Sequence, residues 1–143
     1  MTRSAFRPRS AYRKWTTVST RWHDNDAYGH VNNVTYYGWF DTAVNICLID
    51  EGLLDVAQGD PIGLVVETGC RYAASLAFPQ SVEIGLAVAK LGTSSVTYHL
   101  GAFAVGAQSA AAEGHFTHVY VGRDSRRPVP LPPEWRDFME RLI

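Results

Sequence analysis

No stretch of this 143-residue sequence approaches the ~18 consecutive apolar residues that a membrane-spanning helix needs, and no apolar segment of signal-peptide type follows its first arginines. Cysteine is scarce. Cys47 and Cys70 have neither the C-x-x-C spacing of a metal or redox motif nor the density of a disulfide scaffold, so both are expected to be buried free thiols. Charge of one sign is also missing: a formal net charge of -1 and a pI near 6.5 exclude the basic excess by which a nucleic-acid binder is recognised. There is no internal repeat. These absences leave a soluble, cytoplasmic protein as the expectation, with no nucleic-acid and no membrane partner.

Several reaction signatures are absent as well. No G-x-S-x-G elbow is present, which disfavours a serine hydrolase. Asp24, Asp26 and Gly29 would fit the first, third and sixth places of a calcium-binding EF-hand loop, but Tyr28 and Thr35 stand at the fifth and twelfth, where ligands belong. His23, Asp24, Asp26 and His30 are possible transition-metal ligands by type only, since no H-E-x-x-H or cysteine pair accompanies them. The expectation is no metal and no cofactor.

What is there suits one globular domain, with 46% hydrophobic and 19% charged residues. Residues 1–13 read as a flexible N-terminal arm: Arg3, Arg7, Arg9 and Arg13, with Lys14 just beyond, stand among no acidic residues and beside Pro8. Residues 14–143 read as the domain. Lys14 to Trp22 has the Thr, Val and Trp content of a first strand. A helix then starts at an N-cap, Asn32 or Asn33, and carries an apolar face through Tyr36, Phe40, Ala43, Val44, Cys47 and Leu48 as far as a stop at Gly52. Trp39, Ile46 and Ile49 widen that face, so a sheet is expected to wrap around the helix. Four strands follow, over Gly63 to Leu76, Ser81 to Leu91, Ser95 to Val105 and Ala110 to Gly122, separated by turn residues; a short amphipathic segment, Glu134 to Leu142, closes the chain behind a cluster of prolines. In the second of the four, Val82, Ile84, Leu86 and Val88 alternate with smaller residues, which points the bulky set at the helix.

Between first strand and helix lies a polar knot, Arg21 to Asn33, holding two carboxylates, two imidazoles, a glycine and two asparagines. It ends where unpaired helix amides attract developing negative charge, a setting for catalysis. The run Asp24-x-Asp26-x-Tyr28-Gly29-His30-Val31-Asn32-Asn33-x-x-Tyr36, together with the order of elements from about Lys14 to Arg123, resembles a hotdog-fold acyl-CoA thioesterase of the 4-hydroxybenzoyl-CoA thioesterase type. The fold so implied is α+β, a five-stranded antiparallel sheet wrapped around a long central helix. The implied reaction is hydrolysis of an acyl-CoA or acyl-carrier thioester to a carboxylate and a free thiol.

Thioester hydrolysis needs a carboxylate to activate water or attack the carbonyl, and donors for the oxyanion. The resemblance makes the second Asp of the pair catalytic, which is Asp26, as general base or nucleophile. It gives His30 an assisting role, against the plainer reading that His30 only caps the loop onto Asp24 or Asp26. Asn33 supplies backbone donors, and Asp24 is read as a turn-former. Tyr28 stands where plant acyl-carrier-protein thioesterases of similar motif have Asn, which leaves open whether it touches the acyl group or only packs. Gly29 permits a left-handed turn or a close substrate approach; Val31 belongs to the same substrate-binding run. Alternate residues of the second strand, Glu67, Arg71 and Ser75, could face the acyl pocket, although related plant enzymes carry Glu where Ser75 stands. Coenzyme A phosphates call for basic groups, with Lys90, Arg123, Arg126 and Arg127 as candidates. A homodimer or homotetramer is expected, because one sheet on one helix leaves an outer face and edges uncovered. Competing readings are a hotdog hydroxyacyl-thioester dehydratase and a non-catalytic acyl-thioester binding module.

Overall fold

In the computed structural model, which describes residues 5–143, the central helix α1 spans Asn33–Asp50. It starts where it does because the Asn32 side chain accepts the Val34 N–H at 3.0 Å, satisfying one of the orphan donors of the first turn. It stops where Gly52, at φ 78°, lets the Gly52 and Leu53 N–H groups turn back onto the Ile49 and Leu48 carbonyls. Its 18 residues bury Tyr36, Trp39, Phe40, Ala43, Val44 and Leu48.

Five strands cover that face: β1 (Lys14–Ser19), β2 (Ile62–Tyr72), β3 (Ser81–Leu91), β4 (Ser95–Ala104) and β5 (Ala112–Val121). They form one antiparallel sheet in the order β1-β3-β4-β5-β2. Val82, Ile84, Leu86 and Val88 do point inward, joined by Val96, Tyr98, Leu100 and Ala102 from β4 and by Phe116 and Tyr120 from β5. The terminal helix α2 (Pro133–Glu140) carries a proline in its first turn and closes the core with Trp135, Phe138 and Met139. β2 ends four residues before the expected Leu76. Ala73 and Ala74 both turn their N–H groups onto the Ala111 carbonyl, and buried Leu76 leaves the sheet to meet the polar knot.

The outer face has a smaller core of its own. Tyr12 lies over Gly85 and Gly101, edge-on to Trp15 and Phe103. The segment read as an arm runs along this face from residue 5: Arg7 donates its N–H to Glu113 at 2.7 Å, and Arg9 pairs with Glu83 at 2.7 Å while covering the Trp15 and Phe103 rings. Residues 1–4, with Arg3, lie outside the described residues. Cys47 and Cys70 are free and half-buried; burial pushes the Cys47 thiol up to about 11 and raises Cys70 as well. No helix among the described residues is long and apolar enough to cross a membrane.

Two consequences for stability follow from the packing. A Cβ on Gly85 would stand 2.7 Å from Tyr12 Cγ, so Gly85→Ala forces the ring off its seat. We expect a loss of about 1–3 kcal/mol in urea unfolding, and an unchanged midpoint would show that Tyr12 does not need this glycine. His118 is 4% exposed among Tyr98, Phe116 and Tyr120, and its Nε2 has no hydrogen-bond partner among the described residues. Burial lowers its pKa, with Asp41 acting more weakly in the other direction. The folded state therefore takes up this proton at lower pH than the unfolded chain. The stabilisation is complete above the unfolded value of about 6.5 and is lost as pH falls through the folded value. Unfolding at pH 7.5 and 5.5 should show a larger acid loss in the wild type than in His118→Phe; parallel losses would assign the pH dependence elsewhere.

Candidate active site

The polar knot is built around a buried carboxylate. Asp24 is 1% exposed, and it accepts the Arg21 N–H at 2.7 Å and the Arg21 guanidinium at 3.1 Å. Its own carbonyl accepts the Asn32 N–H at 2.7 Å, which ties the start of the loop to the cap of α1. Two further bonds anchor the loop to the segment after β2: Val31 N–H to the Leu76 carbonyl at 2.7 Å, and Phe78 N–H to the Asn25 side chain at 3.0 Å. Asn25 and Val31 face each other as a one-rung bridge. Beyond it residues 26–30 project as a tight turn.

The Asp26 N–H meets the His30 carbonyl at 2.8 Å, and the Gly29 N–H meets the Asp26 carbonyl at 3.2 Å. Gly29 has φ 83° and open space where a Cβ would stand, so the left-handed turn and not a close contact within the chain explains the glycine. Asp26 is half-buried. Its Oδ1 accepts the Tyr28 N–H at 2.8 Å, and Oδ2 has no hydrogen-bond partner among the described residues. One oxygen thus fixes the carboxylate while the other stays available. The His30 ring is exposed and bonds to neither Asp24 nor Asp26; it is the His30 carbonyl that closes the turn.

At the helix start most amides are already committed. Asn32 donates to Asp24, Val34 to the Asn32 side chain, and Thr35 to the Asn32 carbonyl at 2.9 Å. The Asn33 N–H has no partner among the described residues. It is a single preset donor at the positive end of an 18-residue helix, suited to a developing oxyanion. The Asn33 carbonyl is held from the sheet, accepting the Tyr72 hydroxyl at 3.0 Å.

The other sequence candidates are placed unequally. Tyr28 is 83% exposed at the tip of the turn, whereas Val31 is buried in the main core. Ser75 is exposed in the turn that leads to Leu76, on the side of the knot. Glu67 and Arg71 lie on the outer face of the sheet, where Glu67 meets His115 at 3.1 Å and Arg71 meets Glu113 at 2.9 Å. Arg126, exposed with φ 59°, follows β5, and β5 ends against the start of β2. The knot is at the other end of β2, which at ~3.3 Å per residue is about 30 Å away in one chain. Arg123 spends its bonds on the Val56, Gly59 and Asp60 loop. One chain therefore brings Asp26, His30 and Asn33 into the same loop and helix start, with Ser75 nearby, and does not bring Glu67 or Arg126 to them. Tyr72 was missed, although strand alternation puts it on the helix side two residues from Cys70.

No curated protein matches the sequence. The Thioesterase-like superfamily profile matches residues 20–141. Among solved structures, the PA5185 protein from Pseudomonas aeruginosa strain PAO1 is 56% identical, with 94% of each chain covered and a TM-score of 0.91. Slr0204, a 1,4-dihydroxy-2-naphthoyl-CoA thioesterase from Synechocystis, is 16% identical over 87% of this chain and 93% of its own, with a TM-score of 0.78. The dynemicin thioesterase is 18% identical over 90% and 95%, with a TM-score of 0.81. These last two are likenesses of fold. With the profile covering the knot, strands β2 to β5 and both helices, the chain belongs to the thioesterase-like superfamily and has its hotdog fold.

Proposed function

We propose that the protein is an acyl-CoA thioesterase of the 4-hydroxybenzoyl-CoA thioesterase type, hydrolysing an acyl-CoA or acyl-carrier thioester to a carboxylate and a free thiol. Asp26 is its general base or nucleophile. As base, the carboxylate takes a proton from water as the oxygen adds to the thioester carbonyl; as nucleophile, it adds to that carbon itself and water then cleaves the acyl-enzyme anhydride. Either way the carbonyl oxygen gathers charge toward the Asn33 N–H, the C–S bond breaks, and the thiolate leaves to be protonated. His30, exposed on the same turn, assists at the thioester or the water. The observation that carries this reading is the uncommitted Asn33 amide at the helix start, in one short segment with an Asp26 carboxylate that keeps one oxygen free.

Tyr28 and Gly29 form the substrate-side surface of the turn in this reading, with Val31 behind them in the core. Ser75 contributes from the same chain, and Glu67 and Arg126 from a second protomer, since one chain separates these two from Asp26. The edge of β2 supports a homodimer as the minimum, within a dimer or tetramer: it pairs only with β5, and Leu64, Val65 and Val66 are 40%, 49% and 61% exposed along it.

Purified protein should release thiol from at least one member of a panel of short, long and aromatic acyl-CoAs, and Asp26→Asn should lower kcat by about 10²–10⁴-fold with an unchanged melting temperature. Wild-type turnover in that variant would move the chemistry to another residue; no release from any acyl-CoA or acyl-carrier thioester would remove the hydrolase reading in favour of a binding module. Light scattering should give at least a dimer, and a monomer at assay concentration would contradict a site shared between protomers.

A further inference from the structure

The knot explains how the loop before α1 is held, but not how the first turn of the helix is fixed against the sheet. That contact is made by Tyr72, the last residue of β2. Its hydroxyl donates to the Asn33 carbonyl at 3.0 Å, a bond between residues 39 positions apart. Its ring packs edge-on against Tyr36, with centroids 5.2 Å apart, and the Cys70 thiol and Tyr37 hydroxyl are also within bonding reach of its oxygen. Burial and these neighbours push the phenol pKa up, so the hydroxyl keeps its proton and remains a donor at neutral pH.

Asn33 is the first residue of α1, and its own N–H is the donor left without a partner. A helix end frays unless something holds it. The Asn32 cap secures the amides of Val34 and Thr35 from within the local chain, and Tyr72 alone among the bonds recorded at Asn33 reaches it from the sheet. Fixing the Asn33 carbonyl holds the peptide plane that follows Asn33, and through their shared Cα it limits the swing of the preceding plane, which carries the Asn33 N–H.

We propose that Tyr72 is a positioning residue for thioester hydrolysis: by holding the Asn33 carbonyl it aims the Asn33 amide at the oxyanion. The inference rests on the acyl-CoA thioesterase reading, because the oxyanion is that of a thioester. Tyr72 touches no reacting atom. Its contribution lies in pre-setting a donor whose worth depends on tenths of an ångström.

Tyr72→Phe keeps the ring against Tyr36 and removes only the hydroxyl. On the best acyl-CoA substrate, kcat should fall about tenfold to hundredfold while KM stays within about twofold, since the amide gains its strongest bond only in the transition state. Hydrogen exchange at the Val34 and Thr35 amides should quicken severalfold, with exchange at Val44 and Leu48 unchanged. Wild-type kcat in Tyr72→Phe overturns the proposal whatever the exchange shows. So does a rise in KM with general loss of amide protection, which marks a merely structural tyrosine. If the wild-type protein releases no thiol from any thioester, the thioesterase reading falls, and with it the catalytic role of Tyr72; exchange in the same variant then reports only whether the clamp on the helix start exists.

Discussion

Burying the apolar face of α1 under a curled sheet creates the constraint on which the remaining structure depends. The helix must enter the core at the rim of the sheet, where its first amides have no partner within the helix. Most of them are answered from the loop and the cap. Asp24 receives Asn32, the Asn32 side chain receives Val34, the Asn32 carbonyl receives Thr35, and Tyr72 holds the carbonyl of Asn33. The loop before the helix is in turn fixed by Leu76 and Phe78, both from the segment after β2. Local capping and long-range bonds thus converge on one helix turn, and among the described residues they leave the Asn33 amide unpaired, in the same short run as Asp26.

The helix and its cap were legible because their causes are local. An asparagine ahead of a three-and-four apolar spacing is enough to place the start of α1, and Gly52 its end. The strand β3 was legible from its alternation of bulky and small residues, which assigns Val82, Ile84, Leu86 and Val88 to the helix side. The end of β2 was not. Ala73, Ala74 and Ser75 continue a strand-like composition, and what bends them away is the carbonyl of Ala111, just before β5, which no local pattern announces. The outer-face core was hidden for the same reason: Tyr12 needs Gly85 and Gly101 beneath it, and these lie on two strands more than seventy residues later.

The candidate site divides along the same line. Asp26, His30 and Asn33 belong to one contiguous run, so sequence could group them. Glu67, Arg71 and Ser75 were grouped as alternate residues of the second strand that could face the acyl pocket. The register between β2 and β5 shifts between Val65 and Glu67, however, and the side chains after the shift include Glu67 and Arg71 on the outer face, with Cys70 and Tyr72 inside. The bulge precedes Glu67 and Arg71, so alternation between them holds, and what local counting lacks is the pairing with β5 that decides which face is inside.

That bulge also places two demands on one strand. The inner face of β2 supplies Tyr72 to the helix start, while its free edge carries Leu64, Val65 and Val66 toward solvent. An edge strand held from one side only is the part of a sheet most able to shift, because half of its backbone groups bond to water. Pairing that edge with a second copy would restrain the same backbone that presents Tyr72. In a dimer paired along that edge, assembly and the hold of Tyr72 on the Asn33 carbonyl would be linked through β2.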